Sequence, residues 1–310
     1  MTDDRHYAVK PPMQLVYLIL TVFGCAVLGI LLSMLIIGAL YGGDAMIQAG
    51  TASVTSPPEV ISALKILLAV GNTIGMFLAP AIFFAYLIMH DGDSYLKPNI
   101  NFNYFLIPLV LVIMFLFNPV MEIMVNINQQ LVLPDFLKGI ELWMREQEDA
   151  AHKMIQAVLQ MNTTGQFISS LIVVGLLPAL AEEFLFRGCL QTILQRWTGN
   201  IHAAVWVTAI LFSALHVQFF GFLPRMMLGV LFGYMVAWSG SIWPAVWAHF
   251  INNATAVIAT YLYQQKMIKT NPDDPHIFNY NAYIVSVIFV LFLLWVYRKI
   301  ALNKKQLAGY

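Results

Sequence analysis

Long apolar runs separated by short polar breaks make up most of the chain, and eight of them are long enough to predict membrane-crossing helices. They run from about Gln14 to Tyr41, Val60 to Met89, Tyr104 to Val125, Phe167 to Leu194, Ile201 to Val217, Arg225 to Trp238, Trp243 to Tyr263 and Ala282 to Val296. Between the first two lies a polar loop, Gly42 to Glu59, in which Pro57-Pro58 is a stop signal. Pro108 and Asn118-Pro119 predict kinks in the third run, which also carries Glu122. Gly240-Ser241 reads as a turn, with Pro244 in the first turn of the seventh run. Gly229 and Gly233, four apart in the sixth run, allow a neighbouring helix to approach closely.

The longest polar stretch, Asn126 to Thr164, has a different texture. From Phe136 to Met161 apolar residues recur among charges, among them Ile140, Trp143, Met144, Met154, Ile155, Val158 and Leu159. That pattern predicts an amphipathic helix that lies on the membrane or caps the bundle, and peptide docking is a second use for such a face.

Composition agrees with this pattern. The chain has 310 residues, 60% of them hydrophobic and 10% charged, where a soluble domain has roughly 25% charged. The expected fold class is therefore all-α, a polytopic membrane bundle of about eight transmembrane helices. A formal net charge of zero gives no pointer to nucleic acid. Cys25 and Cys189 sit in apolar runs without metal-type spacing and read as packing residues. The polar tail from Met1 to Pro12 leads into an apolar run too long for a signal-peptide core, so that run is expected to be a retained anchor. An even number of spans puts both termini on one side. The basic tail (Arg298, Lys299, Lys304, Lys305) and the lack of Lys or Arg in the Gly42–Glu59 loop favour the cytoplasm for both, in a plasma or inner membrane.

Chemistry enters at Glu182, Glu183 and Arg187, inside the fourth run. A charge at membrane depth costs roughly 2.5–3.5 kcal/mol on insertion scales and by default marks a functional site. Glu183 and Arg187 are four apart and can pair as a structural unit. Glu182 lies about 100° further round the helix and needs another partner. Three later insertions could supply one: His216 in the fifth run, and His249 with Asn253 in the seventh, these two on one helical face. Singly, each has a plain reading as a hydrogen-bonded core residue or as helix–helix glue. Together they bring a carboxylate, two imidazoles and an amide to three neighbouring spans.

Glu182-Glu183-x-x-x-Arg187, Phe212-x-x-x-His216 and His249-x-x-x-Asn253 resemble, in order and spacing, the three motifs of the CAAX prenyl endopeptidase family of the Ras-converting type, whose bacterial relatives include bacteriocin-processing and immunity proteins. The phrase Gly240-Ser241-Ile242-Trp243-Pro244 is also similar to the family. The resemblance covers about Gly165 to Tyr263 and implies an intramembrane endopeptidase whose helical core opens toward the cytosol. By position it implies that Glu182 and His216 activate water, that His249 and Asn253 stabilise the oxyanion, and that Glu183 and Arg187 support the site. It also implies chemistry without a metal cofactor. The expected division is residues 1–164 as scaffold spans plus the amphipathic connection, 165–263 as catalytic core, and 264–310 as last span and basic cytoplasmic tail. Expected partners are the lipid bilayer and a peptide or protein substrate, a prenylated CAAX protein or a leader peptide, with no nucleic acid.

Two other readings stay open. Glu182, His216 and His249 could hold zinc with a free fourth position, although no HExxH pair is present. A non-catalytic membrane scaffold, or an immunity protein that acts by binding, would need none of this chemistry.

Overall fold

A computed structural model describes residues 9–131, 133–272, 274 and 276–307, and the side chains of 304–307 are not among the described atoms. The polar tail before Val9 and the ammonium groups of Lys304 and Lys305 thus lie outside the described residues. The described residues form helices and turns without strands.

In chain order the helices are α1 (Pro11–Gln48), α2 (Pro58–Ile88), α3 (Gly92–Leu96), α4 (Leu106–Gln129), α5 (Lys138–Val158), α6 (Thr164–Thr198), α7 (Ile201–Ala214), α8 (Phe222–Ser239), α9 (Trp243–Gln264) and α10 (Tyr280–Leu307). All eight predicted runs are helical. Among the described residues six helical stretches, α1, α2, α4, α6, α8 with its preceding turn, and α10, are long and apolar enough to cross a membrane. α7 is shorter, and α9 carries His249, Asn252 and Asn253. Leu20, Phe23, Leu28 and Leu35 on α1, and Ile284, Leu291 and Trp295 on α10, point outward. Such a surface suits lipid, and the chain is an integral membrane protein.

Two boundaries differ from the sequence pattern. α1 continues past Tyr41 to Gln48, bending at Gly42, whose φ of 83° is a left-handed conformation that suits glycine. The extension is held because Ala45 and Ala49 are buried with Val60, Ala63 and Leu64 of α2 and Ala157 and Val158 of α5. α7 stops at Ala214 rather than at Val217. Val217 itself adopts φ 54°, a conformation no helix can continue through.

Several spans contain widened turns in which an N–H reaches the fifth carbonyl back, at Leu67–Leu78, Phe83–Ile88, Leu171–Leu176 and Phe184–Leu190. Such turns cluster at functional sites in proteins generally, and here two of them flank Glu182 and Glu183. Where α1 crosses α2, a Cβ on Gly29 would lie 2.6 Å from the Cα of Gly75, so the two backbones touch.

One apolar cluster joins α4, α8, α9 and α10, with Val110, Ile113, Phe232, Met235 and Tyr297 buried. A second joins α2, α3 and α6 through Phe84, Tyr95, Phe186 and Ile193. α6 contributes to both, through Phe184. The amphipathic segment is α5, as its pattern predicts. It caps the bundle, with Glu148 accepting a 3.0 Å hydrogen bond from the N–H of Phe220 in the turn between α7 and α8.

Candidate active site

Arg187 is fully buried on the widened turn that follows Glu183. Its Nη1 donates to Glu183 Oε1 at 2.6 Å, the pairing the four-residue spacing predicts. Its Nη2 donates to the Gly229 carbonyl at 3.3 Å, and its guanidinium lies 4.4 Å from the centroid of the Phe212 ring. Gln191, one turn on, donates to the Gly233 carbonyl at 3.2 Å. The two glycines allow this ladder. A Cβ at Gly229 would meet Ala209 Cβ at 2.9 Å, and one at Gly233 would meet both Gln191 and Val205 at 2.9 Å. The small-residue pair that says little about function in the sequence thus brings α8 carbonyls within reach of α6 side chains.

Glu183 Oε1 accepts a second hydrogen bond, from His249 Nδ1 at 2.9 Å. Because the carboxylate oxygen accepts from both neighbours, the proton on that side of the ring is assigned to Nδ1. His249 Nε2 then faces Glu182, with 3.9 Å to Oε2, and donates only when the ring is an imidazolium. The ring stacks on Phe232, centroids 5.4 Å apart, which fixes its plane. Arg187, Glu183 and His249 form a continuous chain, while Glu182 is left half-buried at its end.

Glu182 opens into a cavity of about 390 Å³ lined also by His216, Arg225, His249, Asn252 and Asn253. His216 follows the end of α7 and donates from Nδ1 to the carbonyl of Phe212 at 2.8 Å. A carbonyl can only accept, so the neutral ring keeps its lone pair on Nε2. The ring also sits edge-on to Phe212, centroids 5.0 Å apart. Asn253 donates from Nδ2 to the Val174 carbonyl at 3.0 Å, inside the other widened turn of α6, and accepts from Asn252 Nδ2 at 3.1 Å. Its oxygen and nitrogen therefore both have protein partners.

Glu182, His216, His249 and Asn253 thus share one cavity, while Glu183 and Arg187 stand behind its wall and hold His249. Two polar cavity residues, Arg225 and Asn252, were not singled out in the sequence. Arg225 had a signal of the same kind as Glu182, a charge set among Phe222, Leu223, Pro224, Met226 and Met227. Its Nη2 donates to Gln218 Oε1 at 2.5 Å. Among the described residues no three His, Cys, Asp or Glu side chains form a group that could hold a metal ion.

A comparison with known families finds the stretch that carries these residues. Residues 164–255 match the family described as Type II CAAX prenyl endopeptidase Rce1-like. The uncharacterised protein YpbD of Bacillus subtilis (strain 168) is 35% identical over 91 residues, 28% of this chain. The match spans 43% of YpbD, less than half the length of that relative. No solved structure matches the chain. The resemblance read from the three motifs is therefore shared by an independent comparison over α6, α7, α8 and the first half of α9.

Proposed function

We propose that this chain is a membrane endopeptidase that hydrolyses a peptide bond with water activated in the Glu182 cavity. The observation that carries the reading is the convergence of Glu182, His216, His249 and Asn253 on one cavity of about 390 Å³, inside the stretch that matches the endopeptidase family.

In this reading Glu182 takes a proton from water as the water oxygen attacks the scissile carbonyl carbon, and His216 Nε2 orients that water through its lone pair. His249, as imidazolium, donates from Nε2 to the oxyanion, and the Glu183–Arg187 pair holds its ring in place. Asn253 and Asn252 present amides at the same wall. Collapse of the tetrahedral species breaks the C–N bond, and the proton held by Glu182 passes to the leaving amine. The products are a new carboxylate and a new amine. The step is assigned to this chain's own residues, with no metal cofactor.

The wider reading keeps the division expected from the sequence. Residues 1–164 serve as scaffold with α5 as cap, 165–263 as catalytic core, and 264–310 as last span and tail. Both termini face the cytoplasm of a plasma or inner membrane, and the substrate is a membrane-associated peptide such as a prenylated CAAX protein or a leader peptide. The wild-type protein, purified into lipid nanodiscs, tests this with a membrane-anchored peptide library read by mass spectrometry, with and without a strong chelator. A new peptide terminus that appears with and without chelator is expected. Cleavage lost to the chelator and restored by stoichiometric zinc would overturn the metal-free step. No cleavage of any peptide would overturn the enzymatic reading in favour of a binding or immunity role.

A further inference from the structure

His216 does not sit on a helix. It heads a connection from Leu215 to Gly221 in which Val217, a β-branched residue, is left-handed at φ 54°. A β-branched residue in that region is a genuine outlier, and such a conformation persists only where its surroundings over-determine it. The connection is indeed held from several sides. Ser213 donates to the Phe222 carbonyl at 2.6 Å, the N–H of Phe220 donates to Glu148 at 3.0 Å, and the Arg145 guanidinium lies 4.2 Å from the Phe220 ring centroid. Arg225 of α8 donates to Gln218.

One side chain grips the connection on two sides. Asn128, near the end of α4 and only 1% exposed, donates from Nδ2 to the Phe219 carbonyl at 2.6 Å and accepts from the N–H of Leu223 at 2.7 Å. Phe219 is the acceptor's residue just past the left-handed turn, and Leu223 lies in the first turn of α8. An amide is the side chain that can donate to one backbone group and accept from the other with one planar head. Asn128 lies outside the stretch that matches the endopeptidase family.

We propose that Asn128 is a positioning residue for His216. By fixing the turn between α7 and α8 it holds the His216 backbone where the ring can bond the Phe212 carbonyl and line the cavity it shares with Glu182. Asn128 touches no reacting atom. The proposal rests on the hydrolytic reading only for its effect on rate, and its effect on the turn is separate.

The test uses the full chain in nanodiscs, with Asn128→Ala and Asn128→Asp beside wild type. Amide hydrogen exchange is followed by mass spectrometry, and cleavage of the peptide identified with the wild-type protein is followed in parallel. In Asn128→Ala, peptides covering 217–223 should exchange at least about tenfold faster, the scale of one lost hydrogen bond, with α6 and α9 unchanged. Its kcat should fall by roughly 10²-fold, the scale of a small misplacement of a catalytic group, with KM little changed. Asn128→Asp keeps the acceptor for Leu223 and loses the donor to Phe219, so it should fall between the two, and it serves as the reporter if the alanine variant does not fold. Unchanged exchange over 217–223 would overturn the proposal. So would a loosened turn with wild-type kcat, or a loss carried wholly by KM. Failure of the wild type to cleave would remove the hydrolytic reading, and the exchange data would still uphold or overturn the hold on the turn.

Discussion

Two helices of this protein carry the same Glu-x-x-x-Arg pair, each with a buried glutamate, and differ in where the arginine lies. On α5, Arg145 donates to Glu141 at 2.8 Å with the arginine side chain 46% exposed. On α6, Arg187 donates to Glu183 at 2.6 Å with both side chains fully buried. The α5 pair is open to solvent only on its arginine side: Glu141 is buried and also accepts from the N–H of Leu133 at 3.3 Å, and Arg145 lies over the Phe220 ring. The buried pair has recruited His249, the Gly229 carbonyl and two aromatic rings. Desolvating a carboxylate and a guanidinium is costly unless every remaining group finds a partner. The buried pair is kept together with a histidine whose other nitrogen faces the cavity, and Glu183 Oε2 and Arg187 Nε still find no hydrogen-bond partner among the described residues, whereas the α5 pair keeps its guanidinium within reach of solvent.

The largest effect should come from breaking the buried pair. Arg187→Ala leaves the buried Glu183 without its guanidinium, held by His249 alone, and should cost about 3–5 kcal/mol, seen as lost expression or a collapsed melting profile. Arg145→Ala should move the melting temperature by less than about 2 °C. Equal effects of the two substitutions would dissolve the comparison. Next in size, His249→Ala removes the residue that links the pair to the cavity. Its expected signature is a loss of roughly 10²–10³-fold in kcat, the scale of one oxyanion donor, read on the peptide cleaved by wild type.

Asn253→Ala gives a smaller effect, because Asn253 already binds the Val174 carbonyl. A loss of about 0.5–1.5 kcal/mol in stability is expected, the net worth of one hydrogen bond, measured by thermal melting alongside turnover. The smallest effect lies on α5 and depends on pH. The hydrogen bonds from Arg145 hold the Glu141 carboxyl below its usual range. Its contribution is then present in full above the ordinary glutamate value of about 4.3 and is lost as pH falls through its own lower value. The melting-temperature gap between wild type and Glu141→Gln should thus be visible at pH 7 and close on acidification.

Much of this was legible in the sequence for simple reasons. Apolar run length gave the helices, and charges inside such runs gave Glu182, Glu183 and Arg187. Spacing alone gave the Glu183–Arg187 pair, because residues four apart on a helix are neighbours whatever surrounds them. The grip of Glu183 on His249 was not legible, since it joins helices 66 residues apart in the chain. The extension of α1 to Gln48 was hidden because a polar sequence is helical there only through burial of Ala45 and Ala49 against other helices. Asn128 and Arg225 look like ordinary ends of apolar runs, and only the folded turn between α7 and α8 gives them partners.

The central claim is a division of labour between two adjacent carboxylates, Glu182 for the chemistry and Glu183 for the fold. It is tested most directly by Glu182→Gln and Glu183→Gln side by side, each scored for thermal stability and for cleavage of the same membrane peptide. The account predicts that Glu182→Gln keeps or gains stability and loses roughly 10²–10⁴-fold in rate, since an amide cannot take the proton from water. Glu183→Gln should melt well below wild type, because Arg187 and His249 lose the carboxylate they share. A stable Glu183→Gln, together with a Glu182→Gln that cleaves at the wild-type rate, would contradict it.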